Sequence, residues 1–394
     1  MMPSLEFDLL IPRRIVFGWG KRLELGKLAA GIGRRAFLVD GSKTLRASPY
    51  WKQILDSLSQ SGITVEEIGT THQEPSIEDV DNAAARVRKL NPGPDDFVLG
   101  IGGGAALDLA KAVAAMVTNT KEGESVRDFL EGIGTGRTLE QNPLPVLAVP
   151  TTSGTGSEAT KNSVISCSNP PCKKSLRSDR MVPEAVLIDP ELTVPLSPEQ
   201  TAYSGLDAVT QLLESYTSKK SQDATDALCL FGIDLALSSL RTACRKPNDR
   251  EAREKMALAS FYSGIALANS GLGMAHGVAA ALGSLCNVPH GLACAVMLPI
   301  ALRTNLEEIR SKLEDLELPT ILSKRYEPGE EAEVGIELIE KLCRELKIPT
   351  KLRELNIKQE QLPEIAKGSR GNSMSGNPRD LSDSELLQIL EANW

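Results

Sequence analysis

The chain has 394 residues, 41% of them hydrophobic and 24% charged, and a formal net charge of −8 at pH 7. That length exceeds one ordinary core and implies two domains, and the composition is that of a soluble globular protein. The acidic balance, with scattered basic residues, excludes the concentrated basic face that nucleic acid requires and offers nothing to an anionic membrane surface.

Arg14 to Phe17 reads as a strand and Lys21 to Ile32 as a helix. Ala36 to Asp40 is a second short apolar strand that ends at Gly41-Ser42. Trp51 to Gln60 has helical spacing, Val65 to Ile68 is strand-like, and Ile77 to Lys89 is an amphipathic helix. His72 reads as a loop residue. Phe97 to Ile101 and Leu144 to Val149 supply two further strands. Strands separated by helices of roughly 10 to 15 residues imply βαβ units and a parallel sheet. Beyond about Pro190 the strand signals stop. Helical periodicity then runs from Ser197 through Cys244, Glu251 to Ala268, Met274 to Leu285, Leu292 to Asn305, Glu331 to Leu346 and Ser382 to Ala392. The polar, glycine-containing stretch Gln359 to Asn377 reads as mobile. The expected fold is an α/β dinucleotide-binding domain over residues 1–190, followed by an all-helical domain over residues 191–394. A cleft between them is the expected binding site.

The seven cysteines are an odd number without a C-x-x-C pair, as in a reduced intracellular protein with small buried thiols. The amino terminus lacks a basic segment followed by an apolar one, so no signal peptide is expected. Leu292 to Leu302, the longest nearly unbroken apolar run, is too short for a bilayer and contains Pro299. The expected location is the cytoplasm.

The strand Phe97 to Ile101 runs into Gly102, Gly103 and Gly104 and then into an Ala- and Leu-rich helix. Glycines permit a tight turn and close approach of a ligand, and the helix start offers free N–H groups and a positive dipole end to a phosphate. The spacing is neither G-x-G-x-x-G nor the P-loop pattern. After the next strand, Pro150 to Glu158 packs five hydroxyl side chains and two glycines into nine residues. Such a loop suits phosphates or ribose hydroxyls, and its place in the sheet turns it toward the glycine triplet.

Histidine is scarce: only His72, His276 and His290 occur. Asp207 lies in an apolar helix, where a buried carboxylate needs a partner, and Gln211 shares its face four residues on. One carboxylate and two imidazoles make a plausible ligand set for a divalent metal. Two core histidines and a helix-capping aspartate are the competing reading, since the three residues come from separate elements.

These stretches together resemble the iron-containing (group III) alcohol dehydrogenase family over essentially the full length. The matching segments are Gly102 to Lys111, Pro150 to Glu158, Val182 to Pro190, Ser204 to Ala208, Gly271 to His276, Pro289 to Gly291 and Asn377 to Arg379, in the family's order. The resemblance implies the two-domain fold drawn above, shared with dehydroquinate synthase, and interconversion of small alcohols and aldehydes with NAD(P) and one Fe²⁺ or Zn²⁺. It implies that Gly102, Gly103, Gly104 and Ala105 cradle the pyrophosphate near Asp108 and Lys111. Thr151, Thr152, Thr155 and Ser157 would line the ribose and nicotinamide, and Lys174 joins the cofactor-binding positions. Asp207, His276 and His290, also the residues expected to carry catalysis, fall on three of four metal positions. A homodimer is expected from relatives of this kind.

Three departures stand out. The fourth ligand position holds Gln211, a poorer ligand for Zn²⁺ or Fe²⁺ than the family's usual histidine. Ala280 replaces a histidine that serves many relatives as a proton-relay candidate, leaving solvent or a ribose hydroxyl. Ala105 replaces a serine that donates to phosphate. Ser42, beside Lys43, occupies the position that discriminates the adenosine 2′ group, which leans the cofactor to NADP over NAD. Three alternatives accompany this reading. One is a metal-free oxo-acid reductase similar to maleylacetate reductases, with Lys173, Lys174 or Arg379 holding a carboxylate, and small acidic aldehydes such as semialdehydes or phosphonoaldehydes are intermediate substrates. The others are a cyclase of the dehydroquinate synthase type and a non-enzymatic binding protein.

Overall fold

The computed structural model describes residues 6–71, 73–168, 171–321 and 329–394. His72 lies outside the described residues. The chain forms two compact units, one spanning Leu10–Leu196 and the other Ser197–Trp394 together with residues 6–9. The N-terminal segment joins the helical unit through Asp8, whose N–H and C=O pair with the Gln222 side chain at 3.2 and 2.9 Å. Residues 6–9 thus leave the α/β unit, to which the sequence pattern had assigned them.

In the first unit, β1 (Arg14–Phe17), α1 (Leu25–Ala30), β2 (Arg35–Asp40), α2 (Lys43–Arg46) and α3 (Pro49–Gln60) are followed by β3 (Thr64–Thr70) and α4 (Ile77–Lys89). Then come β4 (Asp96–Gly102), α5 (Gly104–Asn119), β5 (Val146–Pro150), β6 (Asn162–Ser168), β7 (Pro171–Arg177) and β8 (Ala185–Ile188). The helix expected over Lys21 to Ile32 is broken, with a 3₁₀ turn at Lys21–Glu24 preceding α1. Six strands form a parallel sheet in the order β1-β8-β5-β4-β2-β3. Its central strands are buried on both faces, so they read as continuous apolar runs. Phe97, Leu99 and Ile101 pack with α1 and α3 on one face, and Val98 packs with α4 and α5 on the other.

β6 and β7 form a separate antiparallel hairpin. Its buried side alternates Ser163, Ile165 and Cys167, so the hydrophobic pattern that announces a strand is diluted by a serine. Ser163 is tolerated there because its hydroxyl donates to the Asp108 carbonyl at 2.8 Å.

The second unit continues with α6 (Pro198–Thr217), α7 (Asp223–Arg245), α8 (Arg250–Ser270), α9 (Met274–Cys286) and α10 (His290–Thr304). It ends with α11 (Leu306–Asp315), α12 (Leu318–Ile321), α13 (Glu331–Glu345), α14 (Leu362–Gly368) and α15 (Asp383–Ala392). One core runs through it, including Leu206, Val209, Leu213, Ile233, Leu240, Val278 and Met297. By length and composition α7 is apolar enough to cross a membrane, yet Ile233, Ala236, Leu237 and Leu240 are core residues here. The stretch Gln359 to Asn377, expected to be mobile, is ordered: α14 buries Leu362, Ile365 and Ala366, and Asn377 is itself buried. All seven cysteines are free thiols.

Candidate cofactor cradle and metal centre

In the α/β unit, β4 and β5 lie side by side in parallel, with Gly102 opposite Pro150. The Thr151 N–H donates to the Gly102 carbonyl at 2.9 Å, which lays the hydroxyl-rich loop directly against the glycine turn. The contact is too close for side chains. A Cβ on Gly104 would stand 2.6 Å from Thr155 Oγ1, and one on Gly102 (φ 157°) would stand 2.7 Å from the Ala106 Cβ. Gly103 is the N-cap of α5 and has no side chain to satisfy the first-turn N–H groups, which suits that helix start to a phosphate.

Asp108 and Lys111 serve this turn from behind. The Ser157 hydroxyl and the Val164 N–H donate to Asp108 at 2.5 and 2.9 Å. The Lys111 ammonium donates to the Ser157 carbonyl at 2.9 Å, to Thr160 at 2.8 Å and to the Asn162 carbonyl. Both side chains, and the Ser157 hydroxyl with them, are therefore committed to fastening the loop to α5. Burial pushes the Lys111 pKa down, with Asp108 opposing it. Lys174 stands on β7 opposite Ile165, its ammonium beside Gly132.

At the end of β2, Asp40 is 2% exposed and is gripped by Arg46 at 2.6 and 2.7 Å and by Thr70 at 3.0 Å. Its carboxylate is thus engaged within the protein. Ser42 caps α2 by accepting from the Leu45 N–H at 3.1 Å, and Lys43 beside it is exposed.

In the helical unit three helices converge. Asp207 from α6, His276 from α9, and His290 and Cys294 from α10 each offer a ligand atom, all within 4.8 Å of one another. Asp207 Oδ1 is 3.2 Å from His276 Nε2 and 3.8 Å from His290 Nε2, and Cys294 Sγ is 3.6 Å from His290 Nε2. Gln211 points its Oε1 to the Ser263 hydroxyl, which donates to it at 2.6 Å. So Asp207, His276 and His290 come together as their sequence positions suggested, and Cys294 is an addition. Its spacing of four residues from His290 on one helix was the available signal.

Glu214, one further turn along α6, was also missed. It accepts from His276 Nδ1 at 2.7 Å and from the Ala275 N–H at 2.6 Å. Gly273 makes room for it, since a Cβ there would lie 2.9 Å from Glu214 Oε1. Asn377 adds the cap that α9 lacks from its own chain start, accepting from the Met274 N–H at 3.0 Å.

The two ring nitrogens of His276 thus face two carboxylates. A neutral imidazole has one N–H, so a second positive centre, a proton or a metal ion, must sit on the Asp207 side. Burial opposes protonating His276, but the charge of Cys294 and the bonds to Asp207, Cys294 and Glu214 hold its pKa well above the usual value. The charge of Cys294 is the main reason that His290 is raised to about 9, with burial opposing and Asp207 assisting. Burial pushes the Asp207 pKa up, yet His290 and His276 prevail and leave it below the ordinary carboxylate range. Oxygen, nitrogen and sulfur donors gathered in one buried place fit a divalent cation.

An α/β unit with a helix start suited to phosphate, and a helical unit with a cluster of candidate metal ligands, are the parts a nicotinamide-dependent, metal-containing oxidoreductase requires. Residues 12–190 match the family described as iron-containing alcohol dehydrogenase, and residues 201–394 match the C-terminal part of the Fe-containing alcohol dehydrogenase family. The chain belongs to the iron-containing alcohol dehydrogenase family, and it acts on alcohol and aldehyde groups with NAD(P) and a metal. It is 32% identical over 388 residues to long-chain-alcohol dehydrogenase 1 of Geobacillus thermodenitrificans, with 96% of each chain covered. It is 30% identical over 390 residues to the NADPH-dependent butanol dehydrogenase of Clostridium saccharobutylicum, covering 97% of this chain and 96% of that one. A crystal structure of 1,3-propanediol oxidoreductase superposes with a TM-score of 0.90 at 31% identity, over 99% of this chain and 100% of the other. The full-length match sets aside the cyclase and non-enzymatic readings.

Glu214 orients His276, and loss of such an outer partner typically costs about 10–100-fold in metal affinity. Glu214→Gln should weaken metal binding by that amount with the fold intact. Titration calorimetry with Zn²⁺, alongside circular dichroism, checks it, and unchanged affinity would remove the orienting role.

Proposed function

We propose that the chain interconverts a small aldehyde and its alcohol with NADPH, using a divalent metal held by Asp207, His276 and His290. The observation that carries this reading is the convergence of those three donors from three helices in one buried cluster. When bound there, a divalent ion supplies a Lewis acid for the substrate oxygen, and the nicotinamide supplies or accepts the hydride.

The residues of the chain do the rest. Gly102, Gly103, Gly104 and Ala105 bind the pyrophosphate at the start of α5, and Thr151, Thr152 and Thr155 offer hydroxyls to the ribose and nicotinamide. Asp108, Lys111 and Ser157 keep that loop in place. Glu214 fixes the His276 ring so that Nε2 faces the cluster. Ala280 carries no proton, so the proton of the reaction passes through solvent or a ribose hydroxyl. Only His290 of the cluster opens to solvent, its side chain 36% exposed against 1% for Asp207 and 4% for His276.

The metal-free oxo-acid reading finds less support. Two of its three carboxylate holders are already paired, Lys173 with Glu74 at 2.7 Å and Arg379 with Glu385 at 2.7 Å. Small acidic aldehydes remain within the proposed substrate range. The cytoplasm is the proposed location.

Protein purified anaerobically without chelators should contain about one equivalent of metal, and His276→Ala should lose it. Turnover should fall together with the metal, by more than the about 100-fold that marks loss of an outer partner. Aldehyde reduction at the wild-type rate by a metal-free His276→Ala protein would overturn the reading.

The proposed NADPH preference assigns Ser42 and Lys43 to the adenosine 2′ group, and it is supported by Asp40 being occupied by Arg46. An acidic side chain near that ribose hydrogen-bonds a 2′-hydroxyl and repels a 2′-phosphate. Ser42→Asp should therefore lower kcat/KM for NADPH by at least roughly 10-fold and raise it for NADH, about 1.4 kcal/mol of discrimination. Steady-state rates with both cofactors decide it, and an unchanged ratio would exclude Ser42.

The proposed homodimer uses the free edge of the sheet. Among the described residues β1 leaves one side unpaired there, and Ile11 and Ile15 are 42% and 39% exposed. Light scattering should return twice the mass of the 42.4 kDa chain, and the single-chain mass would refute the pairing.

A further inference from the structure

We propose that Cys294 is the fourth metal ligand, bound as a thiolate, and that it makes this centre select zinc over iron. The proposal deepens the metal reading of the same cluster and rests on it.

The first support is distance. Metal–nitrogen and metal–oxygen bonds of about 2.0–2.1 Å and a metal–sulfur bond of about 2.3 Å place tetrahedral donors about 3.3–3.6 Å apart. The separations of 3.2 Å for Asp207 to His276, 3.6 Å for His290 to Cys294 and 3.8 Å for Asp207 to His290 bracket that range, and all four donor atoms lie within 4.8 Å of one another. Cys294 is fully buried, so its sulfur faces these donors and not water.

The second support is the state of Gln211. It holds the position where the family pattern has a histidine, and its carbonyl oxygen already accepts the Ser263 hydroxyl at 2.6 Å. Beside Asp207, α6 thus commits its next side chain on that face to Ser263, whereas α10 presents a sulfur to the cluster one turn beyond His290. Three neutral histidines and one aspartate carry a single negative charge. Two histidines, one aspartate and one thiolate carry two, which balances a divalent ion. Ligation requires the Cys294 S–H proton to leave to solvent as the metal–sulfur contact forms.

The third support is chemical type. An amide oxygen is a hard, neutral donor that does nothing to distinguish zinc from iron. Thiolate sulfur is soft and strengthens binding of zinc, which also stands above Fe²⁺ in the general order of affinity.

The test uses the intact enzyme, stripped with a chelator and reloaded with Co²⁺, whose thiolate complexes absorb by charge transfer in the near ultraviolet. The wild type should take up one equivalent and show that absorption. Cys294→Ser should lose the band and bind Co²⁺ at least tenfold more weakly. Gln211→His combined with Cys294→Ser should recover affinity without recovering the band. Offered equimolar Zn²⁺ and Fe²⁺ anaerobically, the wild type should retain mainly zinc. One equivalent of Co²⁺ bound by the wild type without charge-transfer absorption would overturn Cys294 as ligand and leave the three-residue metal reading standing. Failure to bind any ion would bring both down. Because the wild-type spectrum decides the first point, a misfolded variant would not obscure it. Iron retained in equal or greater amount would overturn the selectivity.

Discussion

The helical unit is organised around one electrostatic constraint, a buried carboxylate that cannot be left alone. Asp207 is 1% exposed, and an isolated charge at that depth would cost several kcal/mol. Its neighbours answer with His276 and His290, and Glu214 answers His276 in turn. Each added group brings a further demand. Glu214 needs donors, which it finds in the N–H groups at the start of α9, and that approach requires a glycine at position 273. The start of α9 then needs Asn377, which is held from its other side by Asn305 at 2.8 Å. The chain of dependence therefore runs from one carboxylate to the C-terminal segment, and it explains why that polar stretch is ordered.

The α/β unit solves a different problem by the same means. A phosphate cradle needs a backbone held close without side chains in the way, and glycine alone would leave it loose. Stiffness comes from behind the turn. Lys111 is 1% exposed and binds the Ser157 carbonyl of the hydroxyl-rich loop together with Thr160 and the Asn162 carbonyl beyond it, while Asp108 binds the loop and the neighbouring hairpin. A lysine in the first turns of a phosphate-binding helix invites assignment to the phosphate. Here its donors are used on protein oxygens, so in the proposed cofactor site its part is to hold the hydroxyl-rich loop through Ser157.

Much of this was legible in the sequence, and the illegible parts have a common cause. The buried parallel strands β2, β4 and β5 announce themselves as apolar runs, and the glycine triplet marks where a ligand meets the sheet. Periodicity fails where burial is served by polar groups. β6 was hidden because Ser163 occupies an inward position, satisfied by a carbonyl far away in sequence. Glu214 looks like one polar residue among others on α6, and only the fold shows it reaching α9. Cys294 reads as another small apolar residue among seven cysteines. The four-residue step from His290 gave it a place on the same helix face, but a cysteine in an apolar helix has packing as its ordinary role.

The proposed ligation by Cys294 bears on how strongly the centre can polarise a substrate. A divalent ion among three neutral imidazoles and one carboxylate retains a net positive charge, whereas the cluster here can cancel it. Charge-neutral centres are compatible with hydride chemistry, since a Cys₂His set holds the catalytic zinc of another alcohol dehydrogenase class. What neutrality removes is the long-range attraction for anions that an uncompensated ion exerts in a buried site. An acidic aldehyde would then need its own cation to be recognised. Among the three basic residues considered for that task, Lys173 and Arg379 already hold protein carboxylates. With Cys294 as the proposed ligand, the charge balance at the metal and the pairing of these cations favour uncharged over acidic aldehydes within the proposed substrate range.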